Sequence, residues 1–252
     1  MDNFCDTKGR LHHGGRLREG MDSDLERLCA SLVHEEEIRR NILKIKNELV
    51  KYKVSSMSIF RRVPADYYHK SLQERGILLN CKPEQLCKSI LFENTVCGHE
   101  NCDDTHDSRY YVVIVQYVRK IDTDLLSSAL AHLVKDKKSK IKYNFRLVSE
   151  ETSHQLTSYQ HNAVTVYGML STISLTHSIT HSLTHSLTHL GMNRRIPVVI
   201  CSNIMQLSPS FVYLGGGSID VKLGIPTSLL ASSTNAIIAL VSKLREEDNN
   251  YE

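Results

Sequence analysis

The stretch RYYVVIVQYV, from Arg109 to Val118, places the firmest limit on how this 252-residue chain can fold. Its β-branched and aromatic residues are typical of a β-strand, and the pattern is the strongest strand signal in the chain. Further strands are predicted at ILFEN, IPVVI, FVYLG and SIDVKLG, and helices at DYYHKSLQERGILLN, PEQLCKSI and DTDLLSSALAHLV. Because helices and short strands mix without a regular βαβ rhythm, the sequence predicts an α+β domain.

The amino-terminal region has a different pattern from the rest of the chain. Residues 1–22 are polar and have the character of a disordered segment. Ser23 and Glu26 are spaced as a capping box, and leucines and isoleucines then recur every three or four residues as far as Tyr52. We therefore expect an amphipathic helical extension over 23–63, followed by the main domain over 64–252. The apolar side of the helix packs either on its own domain or on a partner helix.

Composition excludes several classes of protein. No window approaches about 18 consecutive apolar residues, so neither a transmembrane helix nor a membrane partner is expected. The polar amino terminus lacks the apolar segment of a secretory signal. The seven scattered cysteines favour reduced thiols over a disulfide framework. Together these features predict a cytoplasmic protein.

Positive charge is concentrated in KDKKSKIKYNFR, although the net charge of the chain is only +3. This run, from Lys135 to Arg146, holds six basic residues against one acid, and Tyr143 and Phe145 lie among them. Such a run either binds the phosphates of a nucleic acid or forms a solvated loop or edge strand.

Three stretches together resemble the YbaK/ProX superfamily, the editing domains that deacylate mischarged transfer RNA. They are LCKSILFEN (86–94), LTSYQHNAVTVYGM (156–169) and, within 194–230, RRIPVVI and FVYLGGGSIDVKLGIPTSLL. Their order and spacing are similar to the family's lysine before an apolar strand, its Gly-x-x-x-Pro loop with a Gly-Met pair, and its glycine hairpin. The sequences HNAVT and LGGG are most similar to those of a eukaryotic branch of YbaK-domain proteins. The resemblance implies a mixed β-barrel-like sheet flanked by helices, and hydrolysis of the ester between an amino acid and the terminal ribose of tRNA.

The resemblance also implies which residues form the site. Lys88 falls on the family's functional lysine, where its ammonium would hold the terminal phosphate or ribose, or stabilise negative charge on the ester carbonyl. Without the resemblance, Lys88 would be taken for a solvent-facing helix lysine. The implied substrate-binding residues are Asn162, Ala163, Val164, Thr165, Gly168, Gly215, Gly216, Gly217 and Asp220. Thr165 either bonds the substrate or caps a turn, and Asp220 either lines the pocket or points outward. No cofactor is implied, because family members rely on a positioned water and the substrate's own hydroxyl.

The chain departs from the family pattern in the loop. Asn162 replaces the loop glycine, Val166 replaces its proline, and Ser158 stands where the family prefers glycine. Asparagine tolerates a positive φ better than most residues, so recognition of the substrate carbonyl by the loop backbone can persist. The amino acid that is removed does not follow from the resemblance.

Two readings of function therefore stay open. In the first, the protein is a deacylase that acts on aminoacyl-tRNA in trans, with tRNA steered by Lys137, Lys138, Lys140 and Lys142. In the second, it is an impaired relative that binds tRNA or an aminoacyl-tRNA synthetase through the basic run and the amino-terminal helix. That helix could also mediate self-association.

A Ser-Leu/Ile-Thr-His repeat interrupts the resemblance. It places His177, His181, His185 and His189 four residues apart, so a helix would present them on one face. The tetranucleotide TCAC, when translated, encodes the same peptide without any requirement for its histidines. The repeat also falls in a low-complexity insertion at 170–192, between Gly-Met and Ile-Pro pairs that the family keeps close together. We therefore expect a poorly packed loop or irregular helix and no metal site.

A second group of potential ligands lies between two predicted strands. Cys97, His99, Cys102 and His106 are close together in a polar loop, but no second pair of cysteines completes a zinc motif. We expect no metal there either.

Overall fold

The computed structural model describes residues 15–98, 102, 104–133, 143–169 and 196–245. The chain divides into two compact units, Met1–Arg40 and Asn41–Glu252. Helix α1 spans Gly15–Lys51, and its residues from Asn41 onward belong to the second unit. Within the described ranges, no helix has both the length and the apolar character that a membrane span requires.

The second unit contains a five-stranded sheet. The strands are β2 (Cys87–Asn94), β3 (Tyr110–Gln116), β5 (Phe145–Leu147), β6 (Val198–Cys201) and β9 (Ile237–Ala239), in the order β5-β2-β3-β6-β9. β2 runs antiparallel to β3 and β5, whereas β6 runs parallel to β3 and β9. Tyr111 to Val115 of β3 are 0% exposed. A strand covered on both faces needs apolar residues at consecutive positions, which explains the continuous apolar run in its sequence.

A second sheet is antiparallel and consists of β1 (Ile59–Arg62), β7 (Phe211–Gly215) and β8 (Val221–Pro226). The strand order is β1-β8-β7, and residues 216–220 connect β7 to β8. β4 (Arg119–Ile121) pairs with β10 (Ser242–Leu244) in a third, two-stranded sheet. A parallel bridge between Leu86 and Tyr213 brings the start of β2 against β7. The two larger sheets therefore meet at the end of β2 that carries Lys88.

Five further α-helices complete the described part of the chain. They are α2 (Leu72–Leu79), α3 (Thr123–Leu133), α4 (Glu150–Thr157), α5 (Ser202–Met205) and α6 (Thr227–Thr234). A capping box formed by Ser71 and Glu74 starts α2, and Asn80 ends it in the left-handed conformation. The predicted α+β class with flanking helices is confirmed, although the strands in the described ranges do not close into a barrel.

The helix predicted over PEQLCKSI is wrong. Its first residues form only a 3-10 turn, Pro83–Gln85, and the chain then enters β2 at Cys87. β2 pairs with β3 along its length, and Lys88 lies opposite Val115. Pairing with a buried neighbouring strand outweighs the weak local preference of this segment for a helix. Lys88 consequently lies on a strand of the central sheet and not on a solvent-facing helix.

The amino-terminal helix begins at Gly15, before the predicted capping box at Ser23, and ends at Lys51. Ile45 and Leu49, near its end, are 0% and 1% exposed and pack in the same core as β3. The strand that follows, β1, pairs with β8. Residues 41–63 therefore contribute both core side chains and a sheet strand to the second unit.

Candidate active site

A cavity of about 350 Å³ lies where the start of β2 meets β7 and β8. Its size is in the range of small-molecule sites in proteins. The wall combines aromatic, aliphatic and basic side chains, among them Tyr68, Lys88, Tyr117, Asn162, Gly215 and Lys222.

The cavity brings together parts of the three stretches that resemble the editing superfamily. Lys88 comes from β2, Asn162 and Val164 come from the loop after α4, and Gly215 comes from the end of β7. The other sequence-predicted substrate-binding residues are not part of the wall: Ala163, Thr165, Gly168, Gly216, Gly217 and Asp220. The predicted tRNA-binding lysines, Lys137, Lys138, Lys140 and Lys142, lie outside the described residues.

The backbone of the loop accounts for its residue types. Asn162 has φ +66° and Ser158 has φ +60°, both in the left-handed region that favours glycine. These are two of the positions where the chain departs from the family pattern. Asparagine accepts this conformation more readily than most residues, so the Asn162 turn is preserved without glycine.

The glycine hairpin, which contains Gly215, Gly216 and Gly217, packs directly against the loop that contains Asn162. The N–H of Gly217 donates to the carbonyl of Ala163 at 3.0 Å. A Cβ on Gly215 would lie 2.3 Å from the carbonyl oxygen of Val164 and 2.7 Å from that of Ala163. Since no side chain fits at that distance, glycine at 215 allows the loop to rest directly on β7.

The end of α1 fixes both the loop and the hairpin. Asn41 Nδ2 donates to the carbonyl of Gly217 at 2.8 Å, and Lys44 Nζ donates to Ser158 Oγ at 2.7 Å. Gly168, at φ +69°, donates its N–H to the Glu48 carboxylate. Three side chains of one helix thus hold the cavity-forming segments in place.

Lys88 is half-buried on the cavity wall, and its Nζ lies 5.6 Å from the ring centroid of Tyr117. Burial and, secondarily, the positive charge of Arg245 lower the pKa of Lys88 from its ordinary value. Within the described part of the chain, no carboxylate forms an ion pair with it. Lys88 therefore faces the cavity without a counter-ion among the described residues.

Lys222 is a second cavity lysine, and sequence reasoning missed it. It lies on β8 and is only 4% exposed. Its Nζ donates to Tyr68 Oη at 2.7 Å and to the carbonyl of Ile219 at 2.9 Å, and it lies 4.5 Å from the Tyr68 ring centroid. Burial lowers the pKa of Lys222 to about 7, although the charge of Asp220 acts in the opposite direction. The available signal was a single charged residue between Val221 and Leu223, in a strand that is apolar on both sides of it.

Tyr68 links Lys222 to the loop. Its hydroxyl accepts from Lys222 and donates to the carbonyl of Asn162 at 2.7 Å. Burial strongly raises the pKa of Tyr68, so the hydroxyl keeps its proton at neutral pH. The arrangement holds the carbonyl of Asn162 in a fixed position at the cavity wall.

Asp220 lies outside the cavity, in the turn before β8. Its carboxylate accepts from Ser218 Oγ at 2.7 Å and pairs with Arg62 at 3.2 Å. Although burial by itself would raise the pKa of Asp220, the Ser218 hydroxyl and the Arg62 guanidinium lower it. This carboxylate therefore bonds to protein groups outside the cavity wall.

Two buried hydroxyls near the cavity have no hydrogen-bond partner among the described residues. They are Ser89 Oγ, on a wall residue, and Thr165 Oγ1, in the loop. An unsatisfied buried hydroxyl carries a free-energy cost, so a ligand or water that bonded to either group would be favoured. Thr165 does not cap a turn through its hydroxyl.

The residues considered as metal ligands in the sequence are only partly within the described ranges. No three histidine, cysteine or carboxylate side chains there could jointly hold a metal ion. Cys97 Sγ donates to Asp107 Oδ1 at 3.8 Å. His99 and the repeat histidines His177, His181, His185 and His189 lie outside the described residues.

Comparisons with known proteins identify the fold. No family model and no curated protein matches the chain. The structure matches a protein provisionally described as a trans-editing enzyme for prolyl-tRNA synthetase, with 13% identity and a TM-score of 0.56, over 81% of this chain and 97% of the other. It also matches a hypothetical protein with 15% identity and a TM-score of 0.54, over 79% and 99% of the two chains. A scaffold from computational epitope grafting matches with 13% identity and a TM-score of 0.53, over 81% and 97%. At these identities the likeness establishes that the chain shares the fold of these three proteins.

Proposed function

We propose that this protein hydrolyses the ester bond of mischarged aminoacyl-tRNA, acting in trans, as a member of a eukaryotic branch of YbaK-domain proteins. The observation that carries the proposal is the convergence of Lys88, the Asn162 loop and Gly215 on one cavity of about 350 Å³. These residues come from three separate stretches, each of which resembles the editing superfamily. The fold shared with a protein described as a trans-editing enzyme supports the same function.

Lys88 supplies the positive charge that ester hydrolysis requires. Attack of water on the ester carbonyl places negative charge on its oxygen, and a fixed cation in a partly desolvated cavity stabilises that charge. The same ammonium can instead hold the terminal phosphate of the tRNA. In both roles, the absence of an ion pair to a described carboxylate leaves the charge of Lys88 available to the substrate.

Water is the nucleophile that the cavity favours. Cys87 lines the wall, but burial strongly raises the pKa of its thiol and so disfavours the reactive thiolate. Ser89 Oγ has no hydrogen-bond partner within the described ranges, so no described base activates it. The loop from Asn162 to Thr165 then orients the aminoacyl carbonyl towards a bound water.

The tRNA itself extends beyond a cavity of this size. We assign its phosphates to the basic run that contains Lys137, Lys138, Lys140 and Lys142. If those lysines bind phosphates, affinity for tRNA falls steeply with rising salt concentration.

A panel of tRNAs mischarged with alanine, serine, cysteine or proline tests the proposed activity. The full chain is incubated with each substrate, and release of the amino acid is measured against the rate in buffer. Faster release from at least one tRNA is the expected result. Lack of release from every panel member, together with retained binding to tRNA, would select the second function instead.

That second function is a binding module for tRNA or an aminoacyl-tRNA synthetase. The insertion at 170–192 favours it, because the insertion begins directly after Met169, in the segment that contains the loop. Deleting 170–192 and repeating the assay separates the two functions. Activity that appears only after the deletion means that the insertion disables an intact site, whereas equal activity means that the insertion does not affect it.

A further inference from the structure

Lys222 is a deeply buried basic group on the cavity wall. Lys222 is 4% exposed, and no carboxylate among the described residues lies within ion-pairing distance of its Nζ. Burial of an unpaired charge is costly, and proteins ordinarily pair such groups. A ligand that brings the missing negative charge would remove this cost.

The hydrogen bonds of Lys222 leave one N–H for such a ligand. An ammonium has three N–H donors. Two of them make short bonds, to Tyr68 Oη at 2.7 Å and to the carbonyl of Ile219 at 2.9 Å. Within the described ranges the one other acceptor is the carbonyl of Asn162, at 3.5 Å, which is a long contact. Because Asn162 and Lys222 both line the cavity, an acceptor that enters beside Asn162 can take the third N–H.

The surrounding charges favour an anion over a cation. Lys88 faces the same cavity, and the guanidinium of Arg75 lies 5.2 Å from the Tyr68 ring centroid. Among the described carboxylates, Glu150 lines the cavity and lies 3.2 Å from His161 with both side chains exposed, and Asp220, outside the wall, pairs with Arg62. Lys88 and Lys222 thus place two basic groups on the cavity wall, which favours an anionic ligand.

We propose that Lys222, with Tyr68, forms a binding site for an anionic oxygen group inside this cavity. The group is either the carboxylate of an acidic aminoacyl side chain or a phosphate at the end of the tRNA. Each presents the charge and the acceptor oxygens that the third N–H requires. The inference adds a ligand class to the site of the proposed function, but binding of a small anion does not depend on ester hydrolysis.

Binding at this site is coupled to protonation. An anion favours the charged form of Lys222, so it raises the depressed pKa of this lysine, and the complex takes up a proton around neutral pH. The rings of Tyr67 and Tyr68 face Lys222, and Arg75 and Asp220 act on it through their charges. The other titratable residues of the cavity wall are Lys88, Tyr117, Glu150 and His161. Burial raises the pKa of both tyrosines, so neither loses its proton near pH 7.

Titration of the full chain with three small probes tests the site. Propionate copies an acidic side chain, propionamide is its neutral isostere, and sulfate copies a phosphate without titrating near neutral pH. Binding is followed by NMR chemical-shift changes at constant ionic strength, at pH 6 and at pH 9. We expect at least one of the two anions to bind, propionamide not to bind, and the affinity for the anion to fall by about tenfold or more between the two pH values. Tighter binding of propionate identifies a side-chain carboxylate as the ligand, and tighter binding of sulfate identifies a phosphate.

Substitutions locate the site within the cavity. Lys222→Met should lower the affinity for the anion at pH 6 by about tenfold, since a hydrogen bond to a charged group contributes this much, and it should reduce the pH dependence of binding. Lys120→Met removes an equal charge from an exposed position on β4 and should leave the affinity unchanged. Unchanged affinity in Lys222→Met, or no anion binding by the unsubstituted protein, would overturn the inference. If Lys222→Met does not fold, proton uptake by the unsubstituted protein on binding at pH 7.5 decides, and its absence would overturn the inference too.

Discussion

Burial of Lys222 connects the stability of the protein to pH. Folding lowers the pKa of this lysine from 10.5 to about 7, so between these values the unfolded chain binds more protons than the folded protein. The free energy of unfolding should therefore rise with pH from about 7 upward, by at most about 1.4 kcal/mol per pH unit from this residue. Below that window both states are protonated, and Lys222 adds no pH dependence.

Urea unfolding at pH 7, 8 and 9 measures this contribution. The comparison is between the unsubstituted protein and Lys222→Met, because groups common to both proteins cancel in the difference. We expect the unsubstituted protein to gain stability relative to the variant as the pH rises. Parallel pH profiles for the two proteins would show that Lys222 has an ordinary pKa in the folded state.

Gly215 is a position where the absence of a side chain sets the shape of the cavity. Gly215→Ala should destabilise the protein by about 1–3 kcal/mol, because the added Cβ would lie 2.3 Å from the carbonyl oxygen of Val164 and force the loop away. Gly98→Ala is the matched control, since a Cβ there has no atom within 4 Å. Urea midpoints of the two variants test this, and equal midpoints would contradict the contact between β7 and the loop.

The two kinds of site residue differ in how far the sequence could predict them. Lys88, Asn162 and Gly215 stand in ordered motifs, so the resemblance by itself predicts that they share one site. Lys222 stands in no such motif. Its burial depends on Tyr67 and Tyr68, which are more than 150 residues away in the chain, and a strand pattern read by itself carries no information about them.

At the scale of elements, the end of α1 is part of the site's support. Ile45→Ala should cost about 2–5 kcal/mol of unfolding free energy, because its side chain is 0% exposed in the main core. Leu43→Ala, two residues earlier on the same helix, should change stability by less than about 0.5 kcal/mol, since Leu43 is 59% exposed. Thermal or urea unfolding of both variants measures the two changes in stability. Similar small effects would mean that α1 does not pack in the core.

Local sequence predicted the elements unevenly. The β-branched run of β3 and the apolar strands β6 and β7 were recognisable because their composition agrees with their final environment. The start of β2 was not, since PEQLCKSI has no strand pattern of its own and becomes extended only by pairing with β3. A partner strand decides whether such a segment becomes helix or strand, and the local periodicity of the sequence carries no information about that partner.

At the scale of the whole molecule, the cavity is a product of the tertiary fold. It exists because a parallel bridge between Leu86 and Tyr213 joins two sheets, and because a loop after α4 rests on Gly215. Composition and motif spacing identified the α+β class and the segments involved. They did not specify that only part of the glycine hairpin would reach the cavity wall, which depends on how the hairpin and the loop pack together.

Single-turnover deacylation tests most directly whether Lys88 acts in ester hydrolysis at this cavity. Release of the amino acid from a mischarged tRNA is measured with the unsubstituted full chain, with Lys88→Met and with Lys120→Met. We predict that Lys88→Met slows release by about a hundredfold, as expected on removal of one group that stabilises the developing charge, while Lys120→Met matches the unsubstituted protein. An unchanged rate for Lys88→Met, or no release from any mischarged tRNA by the unsubstituted chain, would contradict a role for Lys88 in ester hydrolysis.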